Sequence, residues 1–428
     1  MAVSATDPRQ ALHRTIEAVW RMESARVIAG LTRLTRDVGL AEDLAQEALV
    51  AALEQWPQTG VPDNPGAWLT ATAKRRAIDL FRRNAVAARK HEDLARDLAT
   101  LEQTVPDLTA PLDDPIGDDL LRLVFISCHP ILSTESRAAL TLRMLGGLTT
   151  DEIARAFLTP EATIAQRIVR AKRTLADKKI PFEVPRGAEL AGRLSSVLEV
   201  IYLIFNEGYS ATAGDDLMRP SLCEDALRLG RILAELAPQE ADVHGLVALM
   251  EIQASRTRAR VGPGGEPVLL FDQNRAHWDQ LLIHRGLTAI ERAHAISDRR
   301  GSYLLQAEIA ACHARARTPA ETDWGRIVSL YTELAELIPS PVIELNRAVA
   351  VSMAHGPQAA LILVDALAAE PSLARYHLLP SVRADLLYKL GRRQEARSEF
   401  ERAAAMTRNT RERDLLLTRA AACVSDPS

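Results

Sequence analysis

Residues Asn64–Lys90 read NPGAWLTATAKRRAIDLFRRNAVAARK, and the reading of this stretch organises the rest of the chain. Asn64 is a good N-cap, and Pro65 suits the first helical position, where its missing N–H costs nothing. Leu69, Ala73, Ala77 and Leu80/Phe81 then recur at helical spacing and form one apolar stripe. Trp68, Thr72, Arg75, Arg76, Asp79, Arg82 and Arg83 fall on or beside a second, polar face. From Lys74 to Lys90 there are seven basic residues against one acid, Asp79, a local charge of +6 in a chain whose net charge is −4. A reversal on that scale suits a polyanion-binding surface. On this helix alone, a solvated arginine-rich face is the competing reading.

Outward from that stretch, 428 residues allow two to four domains, each able to bury a core. Hydrophobic content of 47% with 25% charged residues is ordinary for a globular chain, and only 4% aromatics favours packed helices over sheets. No apolar run of about 18 residues marks a membrane span, and MAVSATDPRQ lacks the pattern of an export signal. Cys128, Cys223, Cys312 and Cys423 are isolated from one another, so neither a zinc clip nor a disulfide framework is suggested. A reducing cytoplasm fits, and no metal or other cofactor is implied.

Upstream, Ala11 to about Thr35 reads as an amphipathic helix or helix pair that Gly39 ends. Leu40–Trp56 reads as a second helix, with Leu40, Leu44, Ala48 and Ala51/Ala52 on its apolar stripe. Glu42, Asp43, Gln46, Glu47 and Glu54 are expected on its acidic, solvent side. Downstream, Ala85–Pro115 begins helix-prone and ends irregular (TVPDLTAPLDDP), the composition of a linker.

A second helical unit spans Asp118–Lys179. Thr149 and Glu152 have the spacing of a capping box before the short helix TDEIARAF. Leu158-Thr159-Pro160 is a tight turn, with Thr159 expected as N-cap and Pro160 at the first helical position. A longer basic helix follows, with Ile164, Ile168, Ala171 and Leu175 on its core side. A short helix, a three-residue turn and a longer basic helix form the helix-turn-helix pattern, which a plain helical hairpin can also show. In the first case Thr163, Gln166, Arg167 and Arg170 reach base edges, while Lys172 and Arg173 suit phosphates.

Together these segments resemble a bacterial sigma factor of the extracytoplasmic-function (ECF) class over Ala11–Lys179. The residues that carry the resemblance are AEDLAQEAL (Ala41–Leu49), NPGAWLTATAKRRAIDLFRR (Asn64–Arg83) and LTTDEIARAFLTPEATIAQRIVRAKRTL (Leu148–Leu175). The resemblance implies that Glu42, Asp43, Gln46 and Glu47 bind core RNA polymerase at a coiled coil of its β′ subunit, with the β subunit a further partner of the chain. It implies that Trp68, Lys74, Arg75, Arg76, Asp79, Arg82 and Arg83 face the −10 element of promoter DNA, and that the third motif reads the −35 element. Two departures stand out. Ala165-Gln166 replaces the basic-then-small pair common in the family, and the Ala85–Pro115 connector is long. The −35 sequence therefore does not transfer. Opening about ten base pairs at roughly 1.4 kcal/mol per stacked step costs more than 10 kcal/mol. One base captured on an aromatic ring returns only about 1–3 kcal/mol. The chain alone cannot hold a bubble open, so polymerase must supply the rest.

After a linker at Pro181–Pro185 the chain is helical again. LLYKLGRRQEARSEFERAAAM, with Gly391, Ala396, Phe400 and Ala403, resembles a tetratricopeptide (TPR) repeat. Asn346, Ala350, Gly356, Ala360 and Val364 form a comparable unit. Trp324–Pro339 and Arg228–Pro238 are further candidates for a helical solenoid. The expected class is therefore all-α: two small helical sigma domains, the second with a helix-turn-helix, then a TPR-like solenoid. The expected segments are 10–90 (region 2), 91–115 (linker), 116–180 (region 4), 187–290 (middle domain with an irregular loop) and 291–428 (repeats).

The whole resembles ECF factors with a TPR extension, which implies that the extension replaces or supplements a separate anti-sigma factor in controlling activity; the extension is expected to contact polymerase, the sigma domains or a regulatory protein. A helix-turn-helix activator with a TPR sensor domain is the alternative. An activator, however, has no use for the strand-opening pair formed by Leu40–Trp56 and Asn64–Arg83. An enzyme built on Tyr202–Asp279 would use Asp272, His277 and Asp279, whose spacing matches no metal site or catalytic triad. Polar caps holding an irregular segment are the simpler account, and no catalytic residue is expected.

Overall fold

The computed structural model of the chain describes residues 8–87, 115–157, 159–210 and 218–424. The fold is all-α; among the described residues the extended pairing is a single bridge, Val261 opposite Pro267. Contacts divide the chain into two compact units, Met1–Val200 and Ile201–Ser428. Residues 91–114 of the expected linker lie outside the described residues.

The first unit holds α1 (Pro8–Thr35), α2 (Val38–Thr59), α3 (Pro65–Ala87), α4 (Pro115–Ser127), α5 (Thr134–Met144), α6 (Thr150–Ala156) and α7 (Glu161–Asp177). The opening stretch folds as its sequence dictates. The Asn64 side chain accepts from the Ala67 N–H at 3.0 Å, Pro65 starts the helix, and Leu69, Ala73 and Ala77 are buried. Leu80 and Phe81 are only half-buried. The first segment is one helix rather than a pair. Gly39 does not end it: Arg36 turns the chain at φ 54° and the Asp37 side chain caps α2 through the N–H groups of Gly39 and Leu40. Gly39 is therefore in the first turn of α2, because a carboxylate cap starts a helix earlier than the glycine alone suggests.

Helix α8 (Ala188–Tyr209) runs across the boundary between the units. Its first half completes the first unit: Arg193 donates to the Phe125 carbonyl at 2.9 Å and the Ser196 hydroxyl to the Cys128 carbonyl at 2.6 Å.

The second unit continues through α9 (Pro220–Leu236), α10 (Ala241–Ala254), α11 (Gln280–Ile296), α12 (Ser302–Arg315), α13 (Trp324–Leu337) and α14 (Pro341–His355). It ends with α15 (Pro357–Leu367), α16 (Leu378–Lys389), α17 (Arg393–Met406) and α18 (Thr410–Ala422). Successive helices pack on their chain neighbours. The small-and-large spacing noted in the sequence is core here: Ala360, Val364, Ala396, Phe400 and Ala403 are buried. Gly356 and Gly391 turn the chain at φ 93° and 76°, where a side chain would be strained.

Between α10 and α11 the chain is irregular, and the residues of the enzymatic reading have ordinary duties. Asp279 caps α11 by accepting from Leu281 and Leu282, and Asn274 accepts from Ala276 at the short turn Arg275–His277. Asp272 and His277 are exposed. No group of three or more His, Cys, Asp or Glu among the described residues could hold a metal.

Candidate nucleic-acid interface

Helix α3 offers a cationic outer face. Arg75, Asp79, Arg82 and Arg83 are exposed, at the spacing that keeps them on one side. Arg76 is tied to the neighbouring helix, donating to Glu47 at 2.8 Å. Lys74 is half-buried; burial, and after it the charge of Arg33, holds its ammonium below the usual lysine range. Trp68 packs edge-on to Trp56, ring centroids 5.3 Å apart, so its indole is braced from below. Of the expected set, Arg75, Asp79, Arg82 and Arg83 therefore stand out furthest, while Trp68, Lys74 and Arg76 are partly covered.

On α2 the expectation of a fully solvent-facing acidic side needs correction. Asp43 and Glu47 are exposed and Gln46 is half-buried, but Glu42 is 2% exposed. It accepts from Arg143 Nε at 2.6 Å, from Gln46 and from Lys172 Nζ. The cause is helical register: Glu42 lies four residues after Val38 and three before Ala45, both buried, and so sits on the edge of the apolar stripe. A carboxylate there is tolerable only with paired cations, and α5 and α7 bring them.

Helices α6 and α7 flank the expected turn, of which Leu158 lies outside the described residues. The capping box is reciprocal: Thr149 N–H donates to Glu152 at 2.8 Å and Glu152 N–H to the Thr149 hydroxyl at 3.1 Å. Burial pushes the Glu152 carboxyl up, but these bonds and Arg21 outweigh it and hold it below the usual range. Thr159 is not the N-cap of α7. Its hydroxyl donates back to the Phe157 carbonyl, and Pro160 takes the cap position with no side chain to offer. Ile164, Ile168, Ala171 and Leu175 are buried, as the apolar spacing requires. Gln166, Arg170 and Arg173 are exposed; Thr163 and Arg167 are half-exposed. Lys172, expected on phosphate, instead points back to Glu42 and lies 3.8 Å from Asp43.

Two further ion pairs join α1 to the later helices, Arg21 to Glu152 at 2.6 Å and Arg33 to Asp119 at 3.2 Å. The turn at Gly147 (φ 70°) presses on α1, where an added Cβ would meet the Ser24 hydroxyl at 2.8 Å. A cavity of ≈ 500 Å³ remains between these parts, bordered by Trp20, Gln46, Leu49, Val50, Leu53 and Thr149.

Sequence reasoning missed three exposed apolar side chains on these faces: Val50 (51%) and Leu53 (38%) on α2, and Val169 (63%) on α7. The signal was available. Val50 is seven residues after Asp43, Leu53 seven after Gln46, and Val169 three after Gln166, each two turns or one turn along the same face.

Comparison with known proteins fits this geometry. Models for sigma-70 region 2 and for sigma-70, region 4 match residues 20–86 and 122–175, and a family of unknown function, DUF6596, matches 193–294. An uncharacterized protein of Rhizobium meliloti is 44% identical over 389 residues, 90% of both chains. An ECF RNA polymerase sigma factor, SigK, of Mycobacterium ulcerans is 31% identical over 154 residues, 35% of this chain and 78% of that one. A probable ECF RNA polymerase sigma factor, SigI, of Mycobacterium tuberculosis is 26% identical over 174 residues, 40% of this chain and 58% of that protein.

Proposed function

The chain belongs to the ECF class of sigma-70 factors and directs transcription initiation, and from that premise we propose which of its residues do so. Residues 10–90 act as region 2 and 116–180 as region 4, joined by the linker 91–115. Asp43, Gln46 and Glu47 on α2, with Glu42 once it is uncovered, meet core polymerase; Val50 and Leu53 add apolar area to that face. On α3, Arg75, Arg82 and Arg83 hold the −10 strand with Lys74 and Arg76, while Trp68 and Asp79 meet its bases. Helices α6 and α7 act as a helix-turn-helix at the −35 element. There Thr163, Gln166, Arg167 and Arg170 contact base edges, and Lys172 and Arg173 contact phosphates. The middle domain at 187–290 and the TPR-like repeats at 291–428 modulate activity and receive a regulatory protein. The setting is cytoplasmic; no helix among the described residues is long and apolar enough to cross a membrane.

The observation that carries this reading is the pairing of two exposed basic faces with an acidic face on α2. Duplex DNA needs the first two, and a protein partner suits the third. The test is transcription from a cognate promoter by the purified chain and sigma-free core polymerase. Transcripts are expected there, whereas a helix-turn-helix activator gives none. In the same assay Asp43→Lys with Glu47→Lys lowers polymerase affinity at least about tenfold, a change of roughly 1.4 kcal/mol or more. Unchanged affinity in a folded double variant ends the assignment of α2.

A further inference from the structure

The irregular segment between α10 and α11 gathers cations without gathering acids. Arg256 leads the short turn Thr257–Ala259, and Arg275 opens the turn Arg275–His277. Both guanidinium groups sit over the Trp278 indole, their Cζ atoms 5.5 and 5.0 Å from the ring centroid. Arg275 is fixed, donating to the carbonyls of His313 and Ala316 at 2.6 Å each and to the Thr322 hydroxyl at 3.2 Å. Arg256 is not. Among the described residues its guanidinium has the ring but neither a hydrogen bond nor an ion pair. Glu321, the acid whose charge reaches Arg275, is already engaged by the Arg317 N–H and the Thr318 hydroxyl, each at 3.1 Å.

Behind the two arginines lie polar groups with no partner. Trp278, Gln273 and His313 are 3%, 5% and 8% exposed. Trp278 Nε1, His313 Nδ1, Gln273 Oε1 and the Nε atoms of Arg256 and Arg275 are buried without a hydrogen bond among the described residues. Buried polar atoms are nearly always bonded. Five exceptions in one place, four of them nitrogens able to donate, suit an acceptor from outside the chain. Charge points the same way. Burial is the main reason that Arg260 and Arg275 are held below the usual arginine range, and the charge of Arg256 adds to it in both. The indole face attracts each cation, which explains their position but leaves their repulsion standing. An anion would remove the repulsion and satisfy the donors; a neutral ligand would do only the second.

The donor set also selects among anions. A phosphate monoester carries close to two charges at pH 7 and three strong acceptor oxygens, against one charge and two oxygens for a carboxylate. Two planar guanidinium forks match it in charge and in shape. Arg256 and Arg275 are half-exposed, which leaves a way in from solvent. Phe271, 41% exposed, stacks on Trp324, which is edge-on to His313, so an aromatic surface continues from the cations for the organic part of a ligand.

We propose that this cluster is a binding site for the phosphate group of a phosphate monoester, gripped by Arg256 and Arg275 and backed by Trp278 and His313. It gives the second unit a ligand of stated chemistry. It does not depend on the sigma assignment, because every residue named lies in the second unit and the test reads binding rather than transcription.

The test is calorimetric titration of the full chain at pH 7 and about 150 mM salt, with phenyl phosphate and benzoate as matched probes. Phenyl phosphate should bind once per chain, at least about tenfold more tightly than benzoate. Arg256→Gln, which removes a guanidinium that holds nothing else in the fold, should weaken it at least about tenfold. Arg258→Gln, its exposed neighbour, should leave it unchanged. A phosphoserine peptide separates the sources: binding tighter than phenyl phosphate assigns a phosphorylated protein segment, and weaker binding assigns a small metabolite. The proposal is overturned by no saturable binding of either phosphate probe, by equal affinity for benzoate, or by equal losses in the Arg256 and Arg258 variants. If Arg256→Gln does not fold, Arg256→Lys keeps the charge without the fork and should still cost at least about threefold; undiminished affinity there overturns the site as well.

Discussion

Two buried glutamates, one in each unit, are gathered by cations in different ways. Glu308 on α12 accepts from His294 at 2.8 Å, Arg300 at 3.2 Å and Arg326 at 3.1 Å, all within 18 residues of it. Glu42 takes its cations from residues 101 positions away and further. A carboxylate served by its neighbours in one continuous stack keeps them for as long as the helices stay packed. A carboxylate served by a distant part of the chain can exchange them for an outside partner without unfolding. Burial of an ion pair is weak evidence of stability by itself; we term a pair closed within one stack of helices a staple, and one closed from a distant part of the chain a latch.

The largest effect expected on the staple side comes from acid. His313 on the same helix is buried beside Trp324, ring centroids 5.1 Å apart, and burial, helped by Arg256 and Arg275, pushes its imidazole down to about 4. Folded, it stays neutral where the unfolded chain takes a proton. Its contribution is therefore complete above the usual imidazole value near 6.5 and is lost as pH falls toward about 4. Roughly two and a half pH units at 1.36 kcal/mol each give about 3 kcal/mol. Denaturant unfolding of the second unit at pH 7 and pH 4.5 measures it, with His313→Gln as reference. A parent and variant that weaken equally over that interval remove His313 as the cause.

A middle-sized effect separates staple from latch directly. Glu308→Gln leaves Arg300 and Arg326 short of a carboxylate; since both are partly exposed, the cost is about 2 kcal/mol rather than the 3–5 of a fully buried pair. It should appear in unfolding of the second unit, with polymerase affinity unchanged. Should Glu308→Gln shift polymerase affinity at constant fold, the glutamate contrast is mistaken.

How much of this was legible depended on distance along the chain. The Asn64 cap, the Thr149–Glu152 box, the stripe on α7 and the small-and-large positions near Ala396 and Phe400 all follow from residues within a few turns, and the structure agrees with each. The misreadings have the same origin in reverse. Glu42 looked solvent-facing because nothing within a helical turn reveals that Arg143 and Lys172 cover it. Lys172 looked free for the same reason. Thr159 and Gly39 are smaller cases, where a backbone carbonyl or a neighbouring carboxylate claimed the role that residue type alone suggested.

The smallest effect on stability belongs to Arg173, and it sharpens the contrast most. Arg173 pairs with Asp177 one turn on at 3.4 Å, with both side chains largely exposed. Such a pair contributes at most about 0.5 kcal/mol, so Arg173→Ala should leave unfolding almost unchanged. Its effect should appear instead on a duplex carrying the −35 element. Affinity should fall, and the slope of log affinity against log salt should flatten by about 0.9, the amount for one lost phosphate contact. Lys172→Ala should leave the slope of the free chain closer to the parent's, because Lys172 is paired with Glu42 there, yet tighten polymerase binding because Glu42 loses a cation. Anisotropy titrations over a salt series distinguish the two. Identical behaviour of the variants with polymerase would mean that Lys172 latches nothing, and an unchanged slope for Arg173→Ala would remove phosphate contact from the outer face of α7.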